Sequence, residues 1–490
     1  MRRRELMSSC GFALVAHALS PTLAHATTPG VDAPPEPGPQ RPLVVPGVLV
    51  QRLANGLNLL VVPRGALPLV TAALYVPAGR EADAPARAGL AALTAGLLNK
   101  GALSGGKPRS ASLLAHDAEA LGSALDVATS WRIASLSLTV TPPKLDAALA
   151  LIADLVRTPT FEQAELDRLR TQTLDALRVT LASPGDVAAL AARRAFWGAS
   201  AYGASATPAS LPRITRDEVQ RFHGQRYRPD QALLVLAGDI TLESALALAI
   251  RHFSGWSGSA AAQPEPDAAH SSDDATLLID MPGSGQSGVV IAAPFTAIDA
   301  PDRRIAEVAA ALLGGGYSAR LNQEIRIKRG LSYGAFGAGE SQRSGGMFSA
   351  MAQTDHPNAA MVAQIMRDEL QRAGAELASR EELQARQATL VGNFARQLSS
   401  SAGVAGQVAN VWFQGRVLDA LGKYVDEIMA VTPTQVRDYA AQHWTPRSHR
   451  TVVTADVAAA GASLAPWAAS ARRIRLDELD LQSATLVAPR

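Results

Sequence analysis

Cysteine is nearly absent. The single one, Cys10, lies in the first apolar run of the chain, so the body of the protein has no disulfide, no thiol nucleophile and no cysteine metal ligand. Aromatic residues are few, at 5%, and the core must be built mainly from Ala, Leu and Val. Neither sign of charge prevails, with 46 Lys and Arg against 44 Asp and Glu. That balance gives no case for nucleic acid or an anionic membrane as partner. Beyond the N-terminus no apolar run is long enough to span a bilayer. The G-x-S-x-G spacing occurs at Gly330-Leu331-Ser332-Tyr333-Gly334, but there a helix leads into a strand, the reverse of a nucleophile elbow, so an autonomous serine or cysteine hydrolase finds no support.

What is present begins with an address. Met1-Arg2-Arg3-Arg4 is basic, Cys10 to Ala24 is mostly apolar, and Ala24-His25-Ala26 is an A-x-A cleavage site. Residues 1–26 therefore read as a signal peptide. Its removal takes away three Arg and one Glu and leaves the charges balanced. An exported chain without a further span is expected in the periplasm. Residues 27–46 are rich in Pro and Gly and read as an extended tether.

With 490 residues the chain exceeds one hydrophobic core. Val48–Leu53 and Leu57–Val62 around Asn55-Gly56 read as a hairpin, and Arg87 to Lys100 as a buried helix. Long helical patterns follow. Residues 257–274 break the periodicity and read as a linker, after which the pattern of strands and helices repeats. Ile214-Thr215-Arg216, Tyr227-Arg228-Pro229 and Asp239-Ile240 recur as Val431-Thr432-Pro433, Trp444-Thr445-Pro446 and Asp456-Val457. The expectation is an α+β fold of two homologous halves, 47–256 and 275–480. Each would be an antiparallel sheet with helices packed on one face, the pair closing as a clamshell with a ligand cleft between them.

One stretch of the second half stands out. Ser318 to Lys328 reads as a helix with Leu321 and Ile325 on its buried side, stopped by Gly330. Leu331 to Gly339 reads as a strand. Arg326 and Tyr333 could thus converge across one turn, a forked cation beside a phenol. Gly314-Gly315-Gly316 before it has no Lys-Ser/Thr to make a P-loop and reads as a turn between helices.

Three segments carry a resemblance: Leu53-x-Asn55-Gly56-Leu57, Gly79-Arg80-Glu81-Ala82-Asp83 with Ala88-Gly89-Leu90-Ala91, and Tyr317 to Tyr333. Over about residues 47 to 457 the chain resembles the insulinase/pitrilysin family of zinc metallopeptidases, the inverzincins, and in particular their bacterial subunits that pair with a second chain. In that family H-x-x-E-H on a helix supplies two zinc ligands and a base. Here those positions hold Ala92, Leu93, Thr94, Ala95 and Gly96, and the position of the third ligand falls near Asp175 or Ala176. No two of the remaining histidines have the spacing of helical ligands, and His116-x-x-Glu119 reads as a solvated helix face. The resemblance implies no cofactor in this chain and zinc in a partner of the same family. It implies that Arg326 and Tyr333 contact the backbone and developing oxyanion of a peptide substrate in trans to that zinc. The alternative is a non-catalytic structural or peptide-binding scaffold of the same fold.

Overall fold

The structure, a computed structural model, describes residues 44–262, 266 and 275–488. The expected leader, all but the last three residues of the tether and most of the 257–274 linker lie outside the described residues.

Local chemistry sets the first hairpin. Gly56 takes φ +92°, open to glycine. Asn55 donates from Nδ2 to the carbonyls of Phe253 and Trp256, both at 2.8 Å, and so ties the turn to a distant helix end. The strands are β1 (Leu49–Arg52) and β2 (Asn58–Pro63), followed by β3 (Val70–Val76). Next come α1 (Leu90–Leu97), a small hairpin of β4 (Gly101–Ser104) and β5 (Lys107–Ser110), α2 (Ala111–Ala120), β6 (Asp126–Thr129) and β7 (Ala134–Val140). Helices α3 (Leu145–Arg157), α4 (Gln163–Ala182), α5 (Pro184–Trp197) and α6 (Arg216–Arg226) lead to β8 (Leu233–Gly238) and α7 (Leu242–Phe253).

The second part repeats this plan. It runs through β9 (Ala275–Asp280), β10 (Ser287–Phe295), α8 (Arg303–Gly314), the short α9 (Arg320–Asn322), β11 (Ser332–Ser341) and β12 (Gly346–Thr354). Helices α10 (Ala359–Ala375), α11 (Arg380–Gln397), α12 (Ser401–Phe413), α13 (Ala420–Met429) and α14 (Pro433–His443) precede β13 (Arg450–Ala455) and β14 (Arg472–Arg475).

The first sheet has the order β1-β2-β8-β3-β7-β6 and the second β14-β9-β13-β10-β12-β11. From β2 to β6 and from β9 to β11 these are one topology; only the outer edge differs, where β1 runs antiparallel to β2 and β14 parallel to β9. Thr215 and Thr432 open α6 and α14 with the same capping box, closed by Glu218 and Gln435. Both sheets are mixed rather than wholly antiparallel. β2 runs parallel to β8 and β9 parallel to β13, which the long helical connections between them permit. The helix expected over Arg87–Lys100 is shorter: α1 starts after Gly89, held at φ +108°, and ends in a 3-10 turn at Leu98–Lys100.

Helices cover more than one face of each sheet. α5 lies on the second sheet against β10 and β13, while α12 lies on the first against β8 and β3. The α5 contact is a core of its own, in which Val187, Ala188, Ala191 and Ala192 meet Ile279, Val290 and Val452. Small residues allow the approach. A Cβ on Gly288 would stand 2.4 Å from the Pro184 carbonyl oxygen and 2.7 Å from the Gly185 Cα. Thr454 Oγ1 donates to the same Pro184 oxygen at 2.5 Å. Among the described residues, no helix is long and apolar enough to cross a membrane.

Gly288→Ala should destabilise the protein by about 1–3 kcal/mol in urea unfolding, because both atoms in its way are backbone. A second prediction concerns His223, buried in α6 with Nε2 2.9 Å from the Val156 carbonyl. Burial pushes its imidazole down to about 4, the carbonyl pulls it back up, and Arg228 pushes it down further. Unfolded, the ring has its ordinary value near 6.5. Its contribution is therefore complete above pH 6.5 and is lost as pH falls toward 4. His223→Gln keeps a donor without the charge. Relative to wild type, the variant should gain about 3 kcal/mol between pH 7 and pH 4 in denaturant titrations.

Candidate functional site

The stretch expected as one α-helix is two kinds of turn in series. α9 passes at Gln323 into a π-helical turn, Gln323–Ile327, in which the Lys328 N–H donates to the Gln323 carbonyl at 2.9 Å. Such turns are rare and hold one residue more than an α turn. Leu321 and Ile325 are buried in the second sheet's core, as their spacing requires. Gly330 stops the helix at φ +64°, donating its N–H to the Arg326 carbonyl. β11 then begins with a break in its pairing to β12 between Ser332 and Ala335. That bulge, tightened by Ser332 Oγ donating to the Gly334 carbonyl at 2.7 Å, carries Tyr333, which is 90% exposed.

Arg326 and Tyr333 do come together, with a third residue. The Arg326 guanidinium carbon lies 4.8 Å from the Tyr333 ring centre and 5.0 Å from that of Tyr317. At exposed sites such contacts are worth about 0.5–1 kcal/mol each. Among the described residues no carboxylate pairs with Arg326. A guanidinium held against two rings still has its N–H donors at its edge, in one plane. The neighbouring cations are committed elsewhere: Lys328 and Arg329 both pair with Glu324 at 2.5 Å. Burial raises the Glu324 carboxyl, but these two partners outweigh it and hold it below its ordinary value.

Asn322 fixes the arrangement from below. Fully buried, it donates from Nδ2 to the Tyr317 carbonyl at 2.6 Å and accepts from the Ala335 N–H on Oδ1 at 3.2 Å. One amide thus ties both tyrosine-bearing segments to the helix that carries Arg326. Arg320, also buried, makes a two-pronged pair with Glu382 of α11 at 2.7 and 3.0 Å. The glycines before it serve contact: a Cβ on Gly314 would stand 2.1 Å from the Gly337 nitrogen of β11. Tyr317 and Asn322 were not legible as site residues. Tyr317 precedes the helix, so no helical period links it to Arg326, and the partners of Asn322 follow from tertiary contact.

The five positions of the metal motif lie on α1. Ala92 is exposed, Leu93, Thr94 and Ala95 are buried, and the Thr94 hydroxyl donates to the Leu90 carbonyl at 2.8 Å. A Cβ on Gly96 would meet Leu169 of α4 at 3.0 Å. Asp175 points to solvent and pairs with Arg178 at 2.5 Å. These side chains do not fit a zinc ion, and among the described residues no group of three or more His, Cys, Asp or Glu could hold a metal. The helix keeps a strong N-terminal anchor instead. Buried Asp83 accepts from the Gly89 and Ala91 N–H groups, both at 2.8 Å, yet burial outweighs these bonds and raises its carboxyl to about 7. His116 is exposed beside Asp117, 3.9 Å away. His443 lies 3.6 Å from Asp302, and His356 bonds to Ser287 and the Ser284 carbonyl. His270 lies outside the described residues.

Comparison with known proteins matches residues 66–206 to the family described as Insulinase (Peptidase family M16), and residues 213–390 to that described as Peptidase M16 inactive domain. Together these spans cover well over half of the chain. An uncharacterized zinc protease of Streptomyces coelicolor is 25% identical over 325 residues, covering 65% of this chain and 70% of its own. The non-peptidase homolog YmxG of Helicobacter pylori is 23% identical over 363 residues, 72% of this chain and 82% of its own. The crystal structure of a peptidase M16 inactive domain from Pseudomonas fluorescens is similar with a TM-score of 0.77 at 25% identity, covering 83% of this chain and 98% of that one.

Asn322→Ala should strand the Tyr317 carbonyl and the Ala335 N–H, at about 1–3 kcal/mol for a buried unsatisfied group. Hydrogen exchange should then quicken at the Ala335 amide and leave amides in the centre of β12 unaltered. Unchanged exchange at Ala335 would refute the role given to Asn322.

Proposed function

We propose, from the premise that this chain belongs to the insulinase family of M16 peptidases, that it is the substrate-binding, non-zinc subunit of a periplasmic heterodimeric peptidase. The observation that carries the reading is a contrast. The metal helix has become Ala92, Ala95 and Gly96, while Arg326 stands preorganised against Tyr317 and Tyr333 with its donor edge uncommitted. Structural upkeep alone explains the first but not the second, since a half-buried guanidinium against two exposed rings, without a carboxylate partner, adds little to stability.

In this reading the halves 47–256 and 275–480 form one side of a peptide chamber. A partner chain bearing H-x-x-E-H supplies zinc and the general base. Arg326 holds the substrate backbone through its in-plane donors, and the Tyr333 hydroxyl donates to the oxyanion that develops at the scissile carbonyl. The second reading, a non-catalytic scaffold of the same fold, draws support from the non-peptidase homolog among the relatives.

The test is reconstitution of the full chain with exported H-x-x-E-H candidates. The chain alone should be inactive with zinc supplied. The mixture should cleave peptides, and Arg326→Ala with Tyr333→Phe should lower its turnover by about 100-fold or more, the scale of a lost oxyanion donor. Zinc-dependent cleavage by the lone chain, or an unaltered rate in the double variant, would sink the subunit reading. A stable complex with a partner that itself lacks H-x-x-E-H would favour the scaffold.

A further inference from the structure

The second half holds a cavity of about 360 Å3, lined by both polar and apolar groups and walled by α8, β11, α11 and α12, with a neighbour of about 380 Å3 at the start of α8. Arg303, Arg304 and Arg416 line both. Two of the three are committed. Arg303 donates to Glu307 at 3.1 Å and to the Ile298 carbonyl and Gln414 Oε1, each at 2.9 Å. Arg304 donates to Glu427 at 2.8 Å and to both oxygens of Glu307 at 2.9 and 3.0 Å, with its face 4.5 Å from the Tyr424 ring centre. Arg416 is different. Half-buried at the wall the cavities share, its guanidinium has neither a carboxylate nor a carbonyl partner among the described residues. Asn393, Gln407 and Asn410 add neutral amide donors to the first cavity.

We infer that this cavity binds a carboxylate carried on a ligand of amino-acid or short-peptide size, with Arg416 as its anchor. One uncommitted guanidinium suits a planar monoanion, which it grips with two parallel N–H donors. A phosphate dianion would call for more free positive charge than Arg416 supplies, since Glu307 and Glu427 already engage the other two arginines. The volume lies in the range of small-ligand sites. The setting is informative as well. Under the repeat, α8, α11 and β11 correspond to α1, α4 and β6, the elements around the emptied metal positions. The inference stands apart from the role given to Arg326 and Tyr333.

The carboxylate could be a glutamate side chain in a peptide or a free dicarboxylate, and titration calorimetry on the full chain separates them. The probes are glutarate, an acetylated and amidated hexapeptide with one Glu, and the same peptide with Gln. The Glu peptide or glutarate should bind saturably, with the Gln peptide at least tenfold weaker. Arg416→Gln should weaken binding tenfold or more and Arg416→Lys less, both with wild-type thermal midpoints. A tighter Glu peptide assigns the site to peptides, and tighter glutarate assigns it to free dicarboxylates. Equal saturable binding of the Glu and Gln peptides, no saturable binding of either carboxylate at millimolar concentration, unaltered affinity in Arg416→Gln, or inorganic phosphate binding as tightly as glutarate would each overturn the inference.

Discussion

The exchange of helices between the two sheets is the constraint on which the rest depends. α5 follows α4 out of the first layer and buries its Ala- and Val-lined face on β10 and β13, and α12 returns the favour on β8 and β3. Non-directional apolar burial of this kind contributes roughly in proportion to area. Here it acts across the repeat boundary, so neither sheet completes its own covering. The lack of a side chain at Gly288 is what lets backbone approach backbone at Pro184.

On that frame the two halves have diverged in chemistry while keeping one topology. In the first, α1 keeps its Asp83 anchor and its packing on α4 but carries no side chain able to hold a metal. In the second, the corresponding layer carries a π turn, a strand bulge and a guanidinium against two tyrosines. Both irregularities aim side chains outward: the extra residue of the π turn and the extra residue of the bulge flank the same Gly330 stop.

Much of this was legible in the sequence, for physical reasons that differ by element. The repeat was readable because capping boxes, Asn-Gly turns and Gly stops are encoded within a few residues, and Thr215 and Thr432 carry the same one. The loss at Ala92, Ala95 and Gly96 was readable only through the family resemblance, whose flanking residues fix where H-x-x-E-H would fall. The parallel pairings of β2 with β8 and β9 with β13 were missed, since pairing across some 170 residues leaves no local period. The edge strands β6 and β14 were missed because each is four residues long with little apolar alternation. Asn322 reads as an ordinary helical residue until its two partners are known.

The crossing of α5 and α12 also sets an order in time. Residues 401–413 leave the ribosome long after β8 and β3 have been made. Until then the first sheet has one bare apolar face, and α5 has no second sheet to lie on. The amino-terminal half is therefore an unfinished body waiting for its own distant continuation. A chain arrested before α12 would expose the surfaces that invite chaperones, proteases and aggregation.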